Sequence, residues 1–163
     1  MPVESEARKL TDLAALWSIG EAGAGEVVDA ACAALVGGLD SPGLRMLAAR
    51  TRAEADDDVP ALLPVALAEL GLPFHPFGAD SGREAVARAL AGRSLAGELT
   101  PRELARRVHQ LFGHGLPLVE RLADLDDQYD VIEYGDRTPA QIDADVVAEA
   151  RRICGSPPAP VVG

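Results

Sequence analysis

The chain has 163 residues, enough for one domain that buries a real core. Apolar types make up 48% and charged types 25%, which is a globular profile and not a disordered one. The formal net charge of −11 argues against a general nucleic-acid binder, because such proteins neutralise phosphate with Lys and Arg. Aromatics are only 4%, so Leu, Val, Ile and Ala must build the core.

The N-terminus, MPVESEARKLTDLA, has no basic stretch followed by an apolar one, and no signal peptide is expected. No apolar run reaches bilayer-spanning length, so no membrane association is expected. Cys32 and Cys154 are isolated thiols outside any CxxC pair. They read as reduced, which points to the cytoplasm. Cys32, inside the apolar run VVDAACAALV, is expected to be buried. Lys9 is the only lysine, and with the many alanines this reads as GC-rich codon usage and a bacterial origin.

The elements are helical throughout. Glu4 to Trp17 places Leu10, Leu13, Ala14 and Trp17 on one stripe. Gly20, Gly23 and Gly25 interrupt it, and a second helix runs from about Glu26 to Val36. Asp40–Ser41–Pro42 starts a short third helix with a capping side chain and a first-turn proline. Ala53 to Asp58 is polar and reads as a loop or a frayed end, with Asp57 or Asp58 capping a helix from Pro60 to Leu70. Pro64 should kink or shorten that helix. The run GLPFHPFGADSG is irregular and holds Phe74, His75 and Phe77. Ser81 to Ala91 is the next helix.

Thr100–Pro101–Arg102–Glu103 is a capping box that launches a helix ending near Gly113. From Pro117, the residues Leu118, Leu122, Leu125, Tyr129 and Ile132 recur at heptad-like spacing, with a short extended piece open past Tyr129. Thr138–Pro139–Ala140–Gln141 is a second capping box. Its helix turns Ile142, Val146 and Ile153 inward. The expected architecture is an all-α, compact multi-helix bundle of about seven helices. It would form one domain over residues 1–154, with a flexible tail over 155–163.

The charge map is lopsided. Between residues 120 and 149, Glu120, Asp124, Asp126, Asp127, Asp130, Glu133, Asp136, Asp143, Asp145 and Glu149 face only Arg121 and Arg137. Arg83 to Arg107 is locally basic. The two fields can pair within the fold or across a homodimer, or leave acidic helices free for a basic partner. Asp124, Asp126 and Gln128 have the spacing that begins a calcium loop. Tyr129 and Gly135 then stand where that loop needs a glycine and a bidentate Glu, so no calcium site is expected. His109 and His114 are five apart, which points their rings away from one another unless the helix ends at Gly113 and the chain turns. No metal and no cofactor are expected.

LTPRELARRVHQLFGHGL, residues 99–116, resembles the opening of the LuxR-type helix-turn-helix at Leu99 to Glu103 and at the Gly115–Leu116 turn. The resemblance implies a DNA-binding regulator. The helix that would read DNA carries Glu120, Asp124, Asp126 and Asp127, which phosphate repels. The shared feature is therefore the capping box, and no nucleic-acid partner is expected.

No motif names a chemistry, and the features favour a protein that is not an enzyme. The leading expectation is a non-catalytic interaction or regulatory module, immunity- or antitoxin-like or an assembly partner. It would hold another protein, a basic one, through Asp124, Asp126, Asp127, Asp130, Glu133 and Asp136. The alternative is a small helical enzyme or ligand binder with a pocket near Phe74, His75, Phe77, His109 and His114.

Overall fold

The computed structural model describes residues 2–75 and 79–156. Among them every regular element is helical: eight α-helices and two 3₁₀ turns, with no strand. The all-α expectation is met. Backbone contacts divide the chain into two compact units, Met1–Gly82 and Arg83–Gly163, where the sequence suggested one domain. Phe77 and residues 157–163 of the expected tail lie outside the described residues.

The first unit holds α1 (Pro2–Ser18), α2 (Ala24–Val36), α3 (Pro42–Ala48) and α4 (Arg52–Glu69). Its core joins Leu10 and Ala14 of α1, Val27, Ala31 and Ala34 of α2, Leu44 and Leu47 of α3, and Val59, Leu63 and Leu67 of α4. Ser41 caps α3 by accepting from the Leu44 amide at 3.1 Å. Small residues let α3 and α4 meet closely. A Cβ on Gly43 would lie 3.1 Å from Ala66 Cα and 2.7 Å from Glu69 Oε2. The Gly43 amide donates to that same carboxylate at 2.7 Å.

Two expectations in this unit are corrected. The stretch 53–58 is helix and not loop, because Thr51 and Glu54 form the start signal. Glu54 Oε2 accepts from the Thr51 amide and from its hydroxyl, each at 2.9 Å. This draws the Glu54 carboxyl below its usual range. Pro60 and Pro64 both lie inside α4. Four apart, they share one stripe of the helix. Pro60 is exposed, while Val59, Leu63 and Leu67 stay buried. The second correction concerns Cys32, which is exposed. Almost every residue from Val27 to Val36 is apolar, so periodicity alone could not choose the buried face. Val27, Val28, Ala31 and Ala34 take it.

The division between the units falls within the first turn of α5 (Asp80–Leu95). The second unit continues with α6 (Pro101–Phe112), a 3₁₀ turn (Pro117–Val119), α7 (Glu120–Asp130), a second 3₁₀ turn (Ile132–Tyr134) and α8 (Pro139–Gly155). Helices α6, α7 and α8 pack against one another pairwise. Leu104, Val108, Leu122, Leu125, Ile142, Val146 and Ile153 are fully buried. Thr100 and Thr138 cap α6 and α8 as expected, accepting from the Glu103 and Gln141 amides at 3.2 and 3.3 Å. The extended piece left open past Tyr129 is the second 3₁₀ turn.

Candidate functional site

The C-terminal end of α6 and the exposed face of α7 bring together two histidines and three aspartates. His109 lies on the last turn of α6, which closes with the Gly113 amide donating to the His109 carbonyl at 2.8 Å. Gly113 then takes φ +56, a left-handed conformation that glycine adopts without a Cβ penalty. That turn folds the chain back, so the five-residue spacing does not separate the two rings. Their centroids are 5.0 Å apart, edge to face at 68°.

Helix α7 supplies the carboxylates. Asp124 and Asp127 are three apart and share a face. Asp126 Oδ2 lies 2.9 Å from His109 Nδ1, and Asp126 keeps only 15% of its side chain exposed. Asp127 sits between the rings, with Oδ1 3.8 Å from His109 Nδ1 and Oδ2 3.3 Å from His114 Nε2. Asp124 Oδ1 lies 3.4 Å from His114 Nδ1. Each ring therefore faces Asp127 and one further carboxylate of its own. Residues 124–130 are helix, so Asp124, Asp126 and Gln128 form no calcium loop.

His75 belongs to the first unit, where Nδ1 is 3.1 Å from Ser81 Oγ. Burial lowers its pKa below the usual imidazole value. Phe74 packs against the core of that unit. The residues grouped as one pocket in the sequence come from both units. His109 and His114 belong to the α6–α7 cluster. Phe74 and His75 lie beyond the end of α4, and Phe77 is outside the described residues.

The six acidic candidates also separate. Asp124, Asp126 and Asp127 face the histidines. Asp130, Glu133 and Asp136 are exposed at the far end of α7 and around the second 3₁₀ turn. Among the described residues, none of these three lies within ion-pair distance of a cation. Tyr134 stands among them at 89% exposure, and Val131 at 55%. Beside them a shallow apolar depression of about 80 Å³ is lined by Gln128, Val131, Ile132, Gly135, Arg137 and Ile142.

Asp143, Asp145 and Glu149, further along the stretch, are tied down locally. Asp145 accepts from Arg137 at 2.6 Å and lies 3.7 Å from Arg121. Glu149 pairs with Arg152 at 2.8 Å. Asp143 accepts the Tyr129 hydroxyl, and burial together with this carboxylate raises the Tyr129 pKa well above its usual value. Arg102 lies over the Tyr129 ring, 5.4 Å from its centroid. In the basic segment, Arg88 pairs with Glu84 at 3.3 Å and Arg93 with Glu98 at 3.6 Å.

No protein-family model, curated protein or solved structure matches the chain. Among the described residues no helix is long and apolar enough to cross a membrane.

Proposed function

We propose that the protein is a non-catalytic interaction or regulatory module, immunity- or antitoxin-like or an assembly partner, acting in a bacterial cytoplasm. Its occupant is a basic protein, held on the surface around the second 3₁₀ turn. One observation carries this reading: Tyr134 is 89% exposed, in a short stretch of chain that also exposes Asp130, Glu133 and Asp136. An exposed tyrosine costs apolar hydration and supplies rigid contact area, which is why such rings are frequent binding anchors. Exposed, unpaired carboxylates add long-range attraction for a cationic surface and set its orientation. The apolar depression beside Val131 and Ile132 gives an inserted side chain a dry floor.

The test is retention of a basic protein from the source cells on the immobilised full chain, at low and at high salt. Binding should fall steeply as salt rises, since screening acts on exposed charges. Tyr134→Ala should weaken it at every salt concentration. The triple variant Asp130→Asn, Glu133→Gln, Asp136→Asn should flatten the salt dependence. Retention of no basic protein at low salt, or equal retention on the triple variant, overturns the proposal.

A further inference from the structure

The α6–α7 cluster lies outside that surface and has a chemistry of its own. One ring nitrogen each of His109 and His114 and one carboxylate oxygen of Asp127 all lie within 4.8 Å of one another. Donors around a tetrahedral zinc ion, with bonds of about 2.0–2.2 Å, sit roughly 3.3 Å apart. The His114 Nε2 to Asp127 Oδ2 distance, 3.3 Å, already matches. The wider separations, up to 4.8 Å, need a closure of up to about 1.5 Å. His114 and Asp127 have the freedom to make it, with side chains 48% and 57% exposed.

Two imidazoles with one carboxylate select a borderline transition metal. Calcium and magnesium are hard ions that take oxygen donors. The further carboxylates fit the same picture. A metal-binding histidine is commonly held by a carboxylate on its other ring nitrogen. Asp124 Oδ1 lies on the Nδ1 side of His114, 3.4 Å away, while Nε2 faces Asp127. Asp126, mostly buried, lies 2.9 Å from His109 Nδ1, the nitrogen that Asp127 approaches at 3.8 Å, so Asp126 plays this part with the ion on His109 Nε2.

We infer that His109, His114 and Asp127 bind a single divalent transition-metal ion of the zinc class, with Asp124 and Asp126 as positioning residues. Three protein ligands leave a further position for water or for a donor from another molecule. The site does not depend on a partner protein, so its test stands apart from the interaction reading.

The full chain, stripped of metal, is titrated with zinc chloride in a calorimeter, and calcium and magnesium chloride serve as comparisons. One equivalent of zinc should bind, and neither of the hard ions should match it. His114→Gln, on an exposed side chain, should weaken zinc by at least about tenfold. His75→Gln should change nothing. Asp126→Asn should cost roughly ten- to a hundredfold in affinity while leaving the stoichiometry at one. Asp126→Glu should recover part of that loss. In NMR spectra of the imidazole protons, one equivalent of zinc should shift His109 and His114 and leave His75 in place. No zinc binding, unchanged zinc affinity in His114→Gln, or calcium binding as tight as zinc would overturn the assignment.

Discussion

The two units reach a folded core by different means. In the first, α1 to α4 are joined by apolar contact and close backbone approach, with Leu44, Leu47, Leu63 and Leu67 wholly removed from water. Among the described residues, polar links also bridge its helices, the Gly43 amide to Glu69 and the exposed pair Arg52–Asp29. In the second, the helices are also tied side chain to side chain: Tyr129 to Asp143, Arg137 to Asp145 and Gln128, and His109 to Asp126. An apolar contact fixes how near two helices lie, while a hydrogen bond fixes which atoms face one another. The unit with the directional links is the one that carries a cluster with defined geometry.

The largest test of this contrast is Leu63→Ala. It should cost about 2–5 kcal/mol, because a fully buried leucine leaves a cavity among neighbours that close only in part. Thermal melts and amide exchange across α2 to α4 should both register the loss. A cost below that of any single polar deletion in the second unit would remove the distinction.

Asp12 is a partly buried carboxylate of the first unit. Burial pushes its pKa from 3.8 up to about 6, against an opposing pull from Arg8. The folded state therefore binds this proton more tightly than the unfolded chain. Stability from this group is greatest below about pH 4 and declines as pH rises through about 6. At neutral pH the ionised carboxylate is a burden. Asp12→Asn should stabilise the protein there by up to about 2 kcal/mol, and the gain should vanish toward pH 4. Melting curves of the two proteins across this range measure it. A constant difference would show that the burden is not electrostatic.

The smallest effect belongs to Tyr129→Phe. Losing the hydroxyl leaves Asp143 without its donor but keeps the ring beneath Arg102, for a cost of about 1 kcal/mol. Chemical denaturation should detect it, with the amides of α7 and α8 exchanging faster. No change in either measurement would reduce the second unit to apolar packing like the first.

Helical class and most helix starts are legible in the residues, because the signals are local. Ser41, Thr100 and Thr138 each precede a proline and bond an amide three residues on. The Thr51–Glu54 start works in the reverse sense, the Glu54 carboxylate accepting from Thr51, and the polarity of residues 53–58 and the proline at 60 outweigh it in a linear reading. The face taken by Cys32 is not encoded in periodicity, since the alanines around it fit either side. The meeting of His109 and His114 is not encoded in spacing either. Their distance depends on one dihedral angle beyond the helix end, and the division of six aspartates and glutamates into two groups follows from the packing of α7.

Gly113 contributes no functional group, yet its left-handed turn returns His114 to the side of His109. Nothing crowds a Cβ at that position, so the constraint lies in torsion and not in space. The relation between the two imidazoles is thus governed by a residue that neither touches a ligand nor carries a charge. An engineer wishing to transplant the cluster would have to carry that bend along with the five side chains, or the donors would arrive on opposite sides of the scaffold.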